Sequence, residues 1–362
     1  MRRLIAFLLA FAVVLSFVPS QPVVAEGEDW NNYDWTNYDW NNNNNNNWNN
    51  TEWTDNNNWN TTEAPATTEP LKPGEVVYVT AYSCSEGAIQ DCLNEAKNKA
   101  TADNPYYVKA PAGYMNMVYG LHIYSNTTLD LTGVTIHNPC KRSGAIIQVG
   151  YPRREGGKDG SVELSKSAKG YKKGGYKRGK NIKVINGTLD GGTKAGIVSS
   201  LVTFSHVQNI TFDGVTFTFK PTKKDDAHPI EFGAAKNVVI KDCKFIGNHK
   251  VCEALQIESA VKNVAHSDLM GKEDGTKTKN VTISGCTFDN FEYAMGTNHG
   301  CKKDVYKSMV IRNNTFKNIK KYCVCTYNYQ GKITGNSATK CGSRRVFKLG
   351  KKNKLTIKKN KW

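Results

Sequence analysis

Asn209-Ile-Thr-Phe-Asp-Gly-Val-Thr-Phe217, Asn237-Val-Val-Ile-Lys-Asp-Cys-Lys-Phe245, Asn280-Val-Thr-Ile-Ser-Gly-Cys-Thr-Phe288 and Ser308-Met-Val-Ile-Arg-Asn-Asn-Thr-Phe316 are one motif written four times. Each opens on Asn (Ser in the last), alternates apolar with other residues, passes a turn and closes on Phe. The phenylalanines stand 28, 43 and 28 residues apart, so the middle interval is one repeat plus an insertion within 262–279. A repeat of short strands and tight turns has no room for a helix. It cannot bury its own apolar side and must stack on its neighbours. A period in the twenties predicts one coil of a right-handed, single-stranded parallel β-helix, with equivalent residues in columns about 4.8 Å apart. One interior column should read Val215, Cys243, Cys286, Asn314. The two cysteines should remain thiols, because parallel side chains rarely reach the disulfide torsion. A sandwich would show two-residue Gly-containing turns between paired runs, and a propeller would repeat about every 40 residues. Neither fits as well.

Ahead of the repeats, Ser85 stands where a helix cap would, and Ala88, Ile89, Cys92, Leu93 and Ala96 share one face. This amphipathic helix is expected to cover the open N-terminal end of the coil, where unpaired strand edges would otherwise aggregate. Further towards the N-terminus, Met1-Arg2-Arg3, an apolar run from Leu4 to Val18 and small residues up to Ala25 predict a secretory signal peptide over 1–25. The run is short for a membrane span, which needs about 20 residues, and no later segment is apolar enough to cross. A stretch rich in Asn follows over 26–72, holding Trp30, Trp35, Trp40, Trp48, Trp53 and Trp59. It shows neither helical nor strand periodicity and reads as a disordered linker. A tether is the plain role. Exposed indoles that stack on sugar rings are the sharper one.

That stretch masks the charge of the body. Residues 72–362 carry 47 Lys and Arg against 23 Asp and Glu, a net +24. Such a field attracts polyanions. For an exported protein these are acidic polysaccharides, cell-wall polyanions and extracellular DNA. All ten cysteines lie in this body, and their spacing matches no zinc pattern.

Ser125-Asn126-Thr127-Thr128-Leu129-Asp130-Leu131 and Asn186-Gly187-Thr188-Leu189-Asp190-Gly191-Gly192 resemble opening coils of the pectate lyase and polygalacturonase-like β-helix superfamily. The resemblance spans roughly 75–362 and implies the fold of 73–362. It does not select a reaction, because this fold hosts lyases, hydrolases, epimerases, tailspikes and adhesins. The hydrolase motifs of the superfamily are missing. Asp225-Asp226 matches a paired Asp only superficially, in a Lys-rich turn. The compact Asp cluster and Arg base of Ca²⁺-dependent lyases are not visible either. No cofactor is therefore expected, with Ca²⁺ entering only if the protein is a lyase. Asp190 reads as part of a structural turn.

Aligning the repeats sets three segments side by side: His228-Pro-Ile-Glu231-Phe232, Glu253-Ala-Leu-Gln256-Ile257-Glu258 and Tyr293-Ala-Met-Gly-Thr-Asn-His299. Ile230, Phe232, Leu255, Ile257 and Met295 should point inward, leaving Glu231 and Gln256 outward in one file. His228 and Glu253 fall at one margin, Glu258 and His299 at the other. Carboxylates on adjacent coils reach the separation of about 5–9.5 Å that glycoside hydrolysis uses, and their clustering helps one stay protonated as the acid. Glu231, Glu253 and Glu258 are the candidate catalytic residues. His228, Gln256, Tyr293 and His299 are the candidate substrate contacts. Against this stands the plain reading of solvated surface polarity. Two insertions flank the segments: Tyr151–Lys180, with ten basic residues and three tyrosines, and His266–Lys279. Both are placed to wall a groove. The function expected is a secreted, monomeric enzyme cleaving an acidic polysaccharide by carboxylate chemistry. A polysaccharide lyase and a non-catalytic wall-binding adhesin are the alternatives. No specific nucleic acid and no membrane are expected as partners.

Overall fold

The computed structural model describes residues 72–139, 145–149, 174–194, 200–261 and 272–362, all within the unit Thr68–Trp362. The signal segment and the Asn/Trp-rich stretch lie outside them, as do most of the Tyr151–Lys180 insertion and residues 262–271. Among the described residues no helix is long and apolar enough to cross a membrane.

The chain coils into the expected parallel β-helix. Every described strand pairing is parallel, and the strands form a 16-stranded and an 8-stranded sheet. The larger sheet contains two faces. Val202–Asp213 and Ile230–Lys241 run through the corner between them, so the hydrogen-bonded ladder is continuous there. The first face runs from Leu121–Ile123 and Ile147–Val149 through the opening halves of those long strands to Glu253–Glu258, Tyr293–Gly296, Tyr322–Tyr327 and Val346–Leu349. The second takes their closing halves, flanked by Gly179–Ile185 on one side and by Lys279–Ser284, Tyr306–Arg312, Tyr329–Thr334 and Lys354–Lys358 on the other. The smaller sheet stacks strands such as Thr216–Thr218, Lys244–Ile246, Thr287–Asp289 and Thr315–Lys317.

The motif's two fixed residues have separate causes. The Phe column is the core's spine: Phe217, Phe245, Phe288 and Phe316 are fully buried, with centroids 4.8, 4.7 and 5.3 Å apart. The leading Asn sits at a corner that demands a left-handed backbone, with φ of 59° at Asn209, 57° at Asn237 and 55° at Asn280. Asn tolerates that region better than other residues with a Cβ. Its amide also continues a ladder along the axis. Asn181 donates to Asn126, Asn209 to Asn181, Asn237 to Asn209 and Asn280 to Asn237, at 2.8–3.0 Å. Ser308 keeps the backbone angle, at 58°, but has no amide to extend the chain of bonds.

The predicted interior column is buried throughout, and Cys243 and Cys286 are free thiols, as are all nine described cysteines. The column then turns polar: Asn314 donates to Asn336, and Asn336 to Asn360. The helix Glu86–Lys99 starts at Ser85, whose hydroxyl accepts from Ala88 N, and buries the five expected residues. It packs on Tyr106–Lys109 and Leu121–Ile123. Gln90 fastens it, donating to His122 O and accepting from His122 N.

Candidate active site

The register of the first face places Gln148, Thr203, Glu231, Gln256 and Gly296 on successive coils. Residues of opposite parity, Ile230, Phe232, Leu255, Ile257 and Met295, are fully buried in the core. Glu231 and Gln256 therefore share one outward file, as the repeats imply. That file is closed to solvent, however. Glu231 and Glu258 are 0 % exposed and Gln256 is 7 % exposed. An outward position on a β-helix is not thereby a wet one.

Burial is possible because these groups bond to one another. Gln256 Nε2 donates to Glu258 Oε1 at 2.8 Å and to Glu231 Oε1 at 3.3 Å. The two carboxylate oxygens sharing that nitrogen are thus at most about 6 Å apart, inside the range glycosidases use. Ser200 Oγ donates to Glu231 Oε2 at 2.8 Å and accepts from His228 N. His228 Nδ1 donates to the Glu253 carbonyl at 3.0 Å, which ties the margin of one coil to the next. Burial, with the Glu231 charge second, holds the Glu258 carboxyl well above the usual carboxylate range. Hydrogen bonds from Asn298 and Gln256 oppose this only in part.

Glu253 is different. It is half-buried, and its carboxyl lies over Gly296, where a Cβ would sit 2.2 Å from Oε1. Glycine is required here by a close approach, not by its backbone angle. Burial, then the charges of Glu231 and Glu292, pushes the Glu253 carboxyl up to about 8. It is therefore an acid that keeps its proton at neutral pH beside a second carboxylate, the pairing general acid catalysis asks for. The Cys252 and Cys325 thiols nearby are pushed up to about 12, by burial first and the Glu253 charge second, and stay protonated.

Tyr293 borders this group half-exposed. Its hydroxyl accepts from Lys321 Nζ at 3.2 Å, and Lys321 also pairs with Glu292. The Tyr293, Tyr322 and Phe347 rings follow one another on three coils, 5.6 and 4.6 Å apart. His299 stands apart on an exposed single turn, His299–Cys301, with Nδ1 2.8 Å from Tyr327 Oη. The structure thus brings Glu231, Glu253, Gln256, Glu258 and His228 together, sets Tyr293 at their edge and leaves His299 outside the bonded group.

Some members escape a search for carboxylates and histidines. Ser200 lies 28 residues before His228, so the repeat spacing alone could have found it. Glu292 and Lys321 carry no motif signal. Arg178, at the edge of the basic insertion, reaches the same face and donates from Nη1 to Ser205 Oγ at 3.4 Å. Asp190 caps a turn, accepting from Gly192 N, and meets His137 Nδ1 at 2.7 Å. Asp225 accepts from Ala227 N in a turn. Among the described residues no group of three or more His, Cys, Asp or Glu is placed to hold a metal ion, so these residues do not fit the Ca²⁺ site that a lyase of this fold would use.

No protein-family model matches the sequence, and no curated protein matches it. Solved structures do. A surface adhesin of Streptococcus pneumoniae, PfbA, superposes with a TM-score of 0.54 at 19 % identity, over 76 % of this chain and 67 % of that one. A family 28 exopolygalacturonase of Yersinia enterocolitica matches with a TM-score of 0.49 at 12 % identity, over 80 % and 65 %. Together with the parallel pairing of the strands, the first likeness establishes the class: the chain is a parallel β-helix protein. At such identities the likenesses speak to the fold alone.

Proposed function

We propose that this is an exported protein that acts on an extracellular polysaccharide, and that the reaction is glycoside hydrolysis with Glu253 as the general acid. The observation that carries this reading is the half-buried Glu253 carboxyl, held protonated to about pH 8 beside Glu231. Glu231, fixed by Ser200 and Gln256, is the carboxylate to which the base or nucleophile role falls. In the first step Glu253 gives its proton to the departing glycosidic oxygen, and Glu231 either activates a water or attacks the anomeric carbon. Gln256 and Glu258 then act as positioning residues, since Gln256 spends its amide on both carboxylates. Tyr293 and Lys321 are placed to meet sugar at the rim. A lyase would need an Arg, Lys or His near the sugar's acidic proton, whereas the side chains that bond Glu231 here are Ser200 and Gln256.

One observation favours a second reading, non-catalytic glycan binding as in a surface adhesin. Glu231 and Glu258 have no exposed surface, as befits an internal polar staple. Turnover separates the two. The wild-type protein and Glu253→Gln are incubated with a panel of acidic and neutral polysaccharides, and reducing ends and absorbance near 235 nm are followed together. Reducing ends without absorbance, lost in Glu253→Gln while binding persists, support the hydrolase. Absorbance as well would mean a lyase. Binding with neither signal would leave the adhesin.

A further inference from the structure

The second face carries a feature that the carboxylate group does not use. The strand registers join Lys180 to Gln208, Gln208 to Lys236, Lys236 to Lys279, Lys279 to Lys307, Lys307 to Gln330 and Gln330 to Lys354. Seven successive coils thus present Lys, Gln, Lys, Lys, Lys, Gln, Lys in one straight file parallel to the axis, without an acidic residue. All seven are exposed or half-exposed. Among the described residues none of the five lysines is in an ion pair. Midway, Tyr176, Thr276, Lys277, Lys279, Val305 and Lys307 line a concavity. Tyr176 donates to Lys277 O at 2.6 Å, and its ring lies 5.4 Å from Lys279 Nζ.

The file belongs to a wider polarity. In a solenoid, sequence order is spatial order along the axis. Residues 72–139, at the helix-capped end, hold four Lys and Arg against six Asp and Glu. Residues 305–362, the last coils, hold sixteen Lys and Arg and no Asp or Glu. Solubility or protection of an open edge requires lysines, but not seven coils of polar register with the acids withdrawn.

We infer that this file is a docking track for a linear acidic polysaccharide lying parallel to the helix axis, on a different face from Glu253. The match is one of repeat. Coils advance by about 4.8 Å, and an extended uronate chain offers one carboxylate per ring on a comparable step. Duplex DNA places phosphates about every 3.4 Å along each strand and winds them away from a straight line. The glutamines supply neutral hydrogen bonds to ring hydroxyls between charges. The track rests on the glycan reading of the protein but not on catalysis. It would hold the polymer while Glu253 works elsewhere on it.

The test compares two triple variants of equal net charge in the full-length mature protein. Lys236→Gln/Lys279→Gln/Lys307→Gln breaks the file. Lys317→Gln/Lys340→Gln/Lys359→Gln removes three exposed lysines elsewhere. Binding to polygalacturonate is measured at several salt concentrations, with double-stranded DNA as a competing probe. The file variant should bind polygalacturonate about 10-fold more weakly than wild type, with a shallower salt dependence, since exposed charges contribute modestly each. The control variant should lose less than about 3-fold. Equal losses would show diffuse charge and overturn the track. So would absence of binding by the wild type, or tighter binding of duplex DNA than of polygalacturonate. Turnover of neutral glycan oligomers, too short to span both faces, should be the same in the file variant as in wild type. A failed track with intact turnover, or an intact track without turnover, tells the two proposals apart.

Discussion

Replacing Glu253 by Gln should make the protein more stable as pH rises, and the size follows from the site. The carboxyl titrates near 8 in the folded protein against an ordinary value of 4.5. The folded state therefore binds more protons than the unfolded state between those values, and stability falls with increasing pH across that window. The contribution of the protonated carboxyl is fully present below about 4.5 and is lost as pH rises through about 8. At about 1.36 kcal/mol per pH unit, the wild type gives up about 3 kcal/mol between pH 4.5 and 7 through this one group. Gln keeps the shape and does not titrate. The stability difference between Glu253→Gln and wild type should then start small at about pH 4.5 and grow by about 3 kcal/mol at pH 7, roughly 10 °C in melting temperature for a body of this size. Unfolding is followed by circular dichroism at four pH values between 4.5 and 7.5 at fixed ionic strength. Groups common to both proteins cancel in the difference. A difference that stays constant with pH would refute the raised carboxyl and remove the main support for Glu253 as an acid.

Other substitutions probe the geometry around it. Gly296→Ala should fold, because the atom its Cβ meets is the far end of the Glu253 side chain. It should displace that carboxyl and lower kcat at least about 10-fold with little change in melting temperature. Ser200→Ala leaves Glu231 Oε2 without its 2.8 Å donor. A hydrogen bond to a charged group contributes about 1.5–3 kcal/mol, so kcat should fall roughly 10- to 100-fold while glycan binding, measured separately, holds. Phe245→Ala opens the spine between Phe217 and Phe288 and should cost about 3–5 kcal/mol in chemical denaturation. Asn237→Ala removes two ladder bonds and puts Ala at φ 57°. A loss of about 2 kcal/mol is expected, with Asn237→Gly less damaging than Ala if the backbone angle dominates.

The repeat spacing was legible because a solenoid is nearly one-dimensional. Once Phe217, Phe245, Phe288 and Phe316 are aligned, every neighbour along the axis follows, and Glu231 and Gln256 fall into one file without further information. The same arithmetic yields Ser200 opposite His228, and the Lys180 to Lys354 file. These were hidden only by attention to acids. What alternation could not show is whether an outward side chain meets water. Alternation separates the core side of a strand from its other side, and it is silent on what lies over that other side. Glu231 and Glu258 look like surface acids in the sequence. They are buried because Gln256 and Ser200 satisfy their oxygens and the face above them is closed.

The coil, its register, the Asn corners, the capping helix and the net charge of the body can all be read without coordinates, because each follows from local pattern repeated at a fixed period. The protonation of Glu253 and the separation of the carboxylate group from the lysine file cannot. Those depend on desolvation and on charges brought close from distant positions, such as Glu292 and Lys321. Such proximity is a property of the folded chain in three dimensions and leaves no mark on spacing along it.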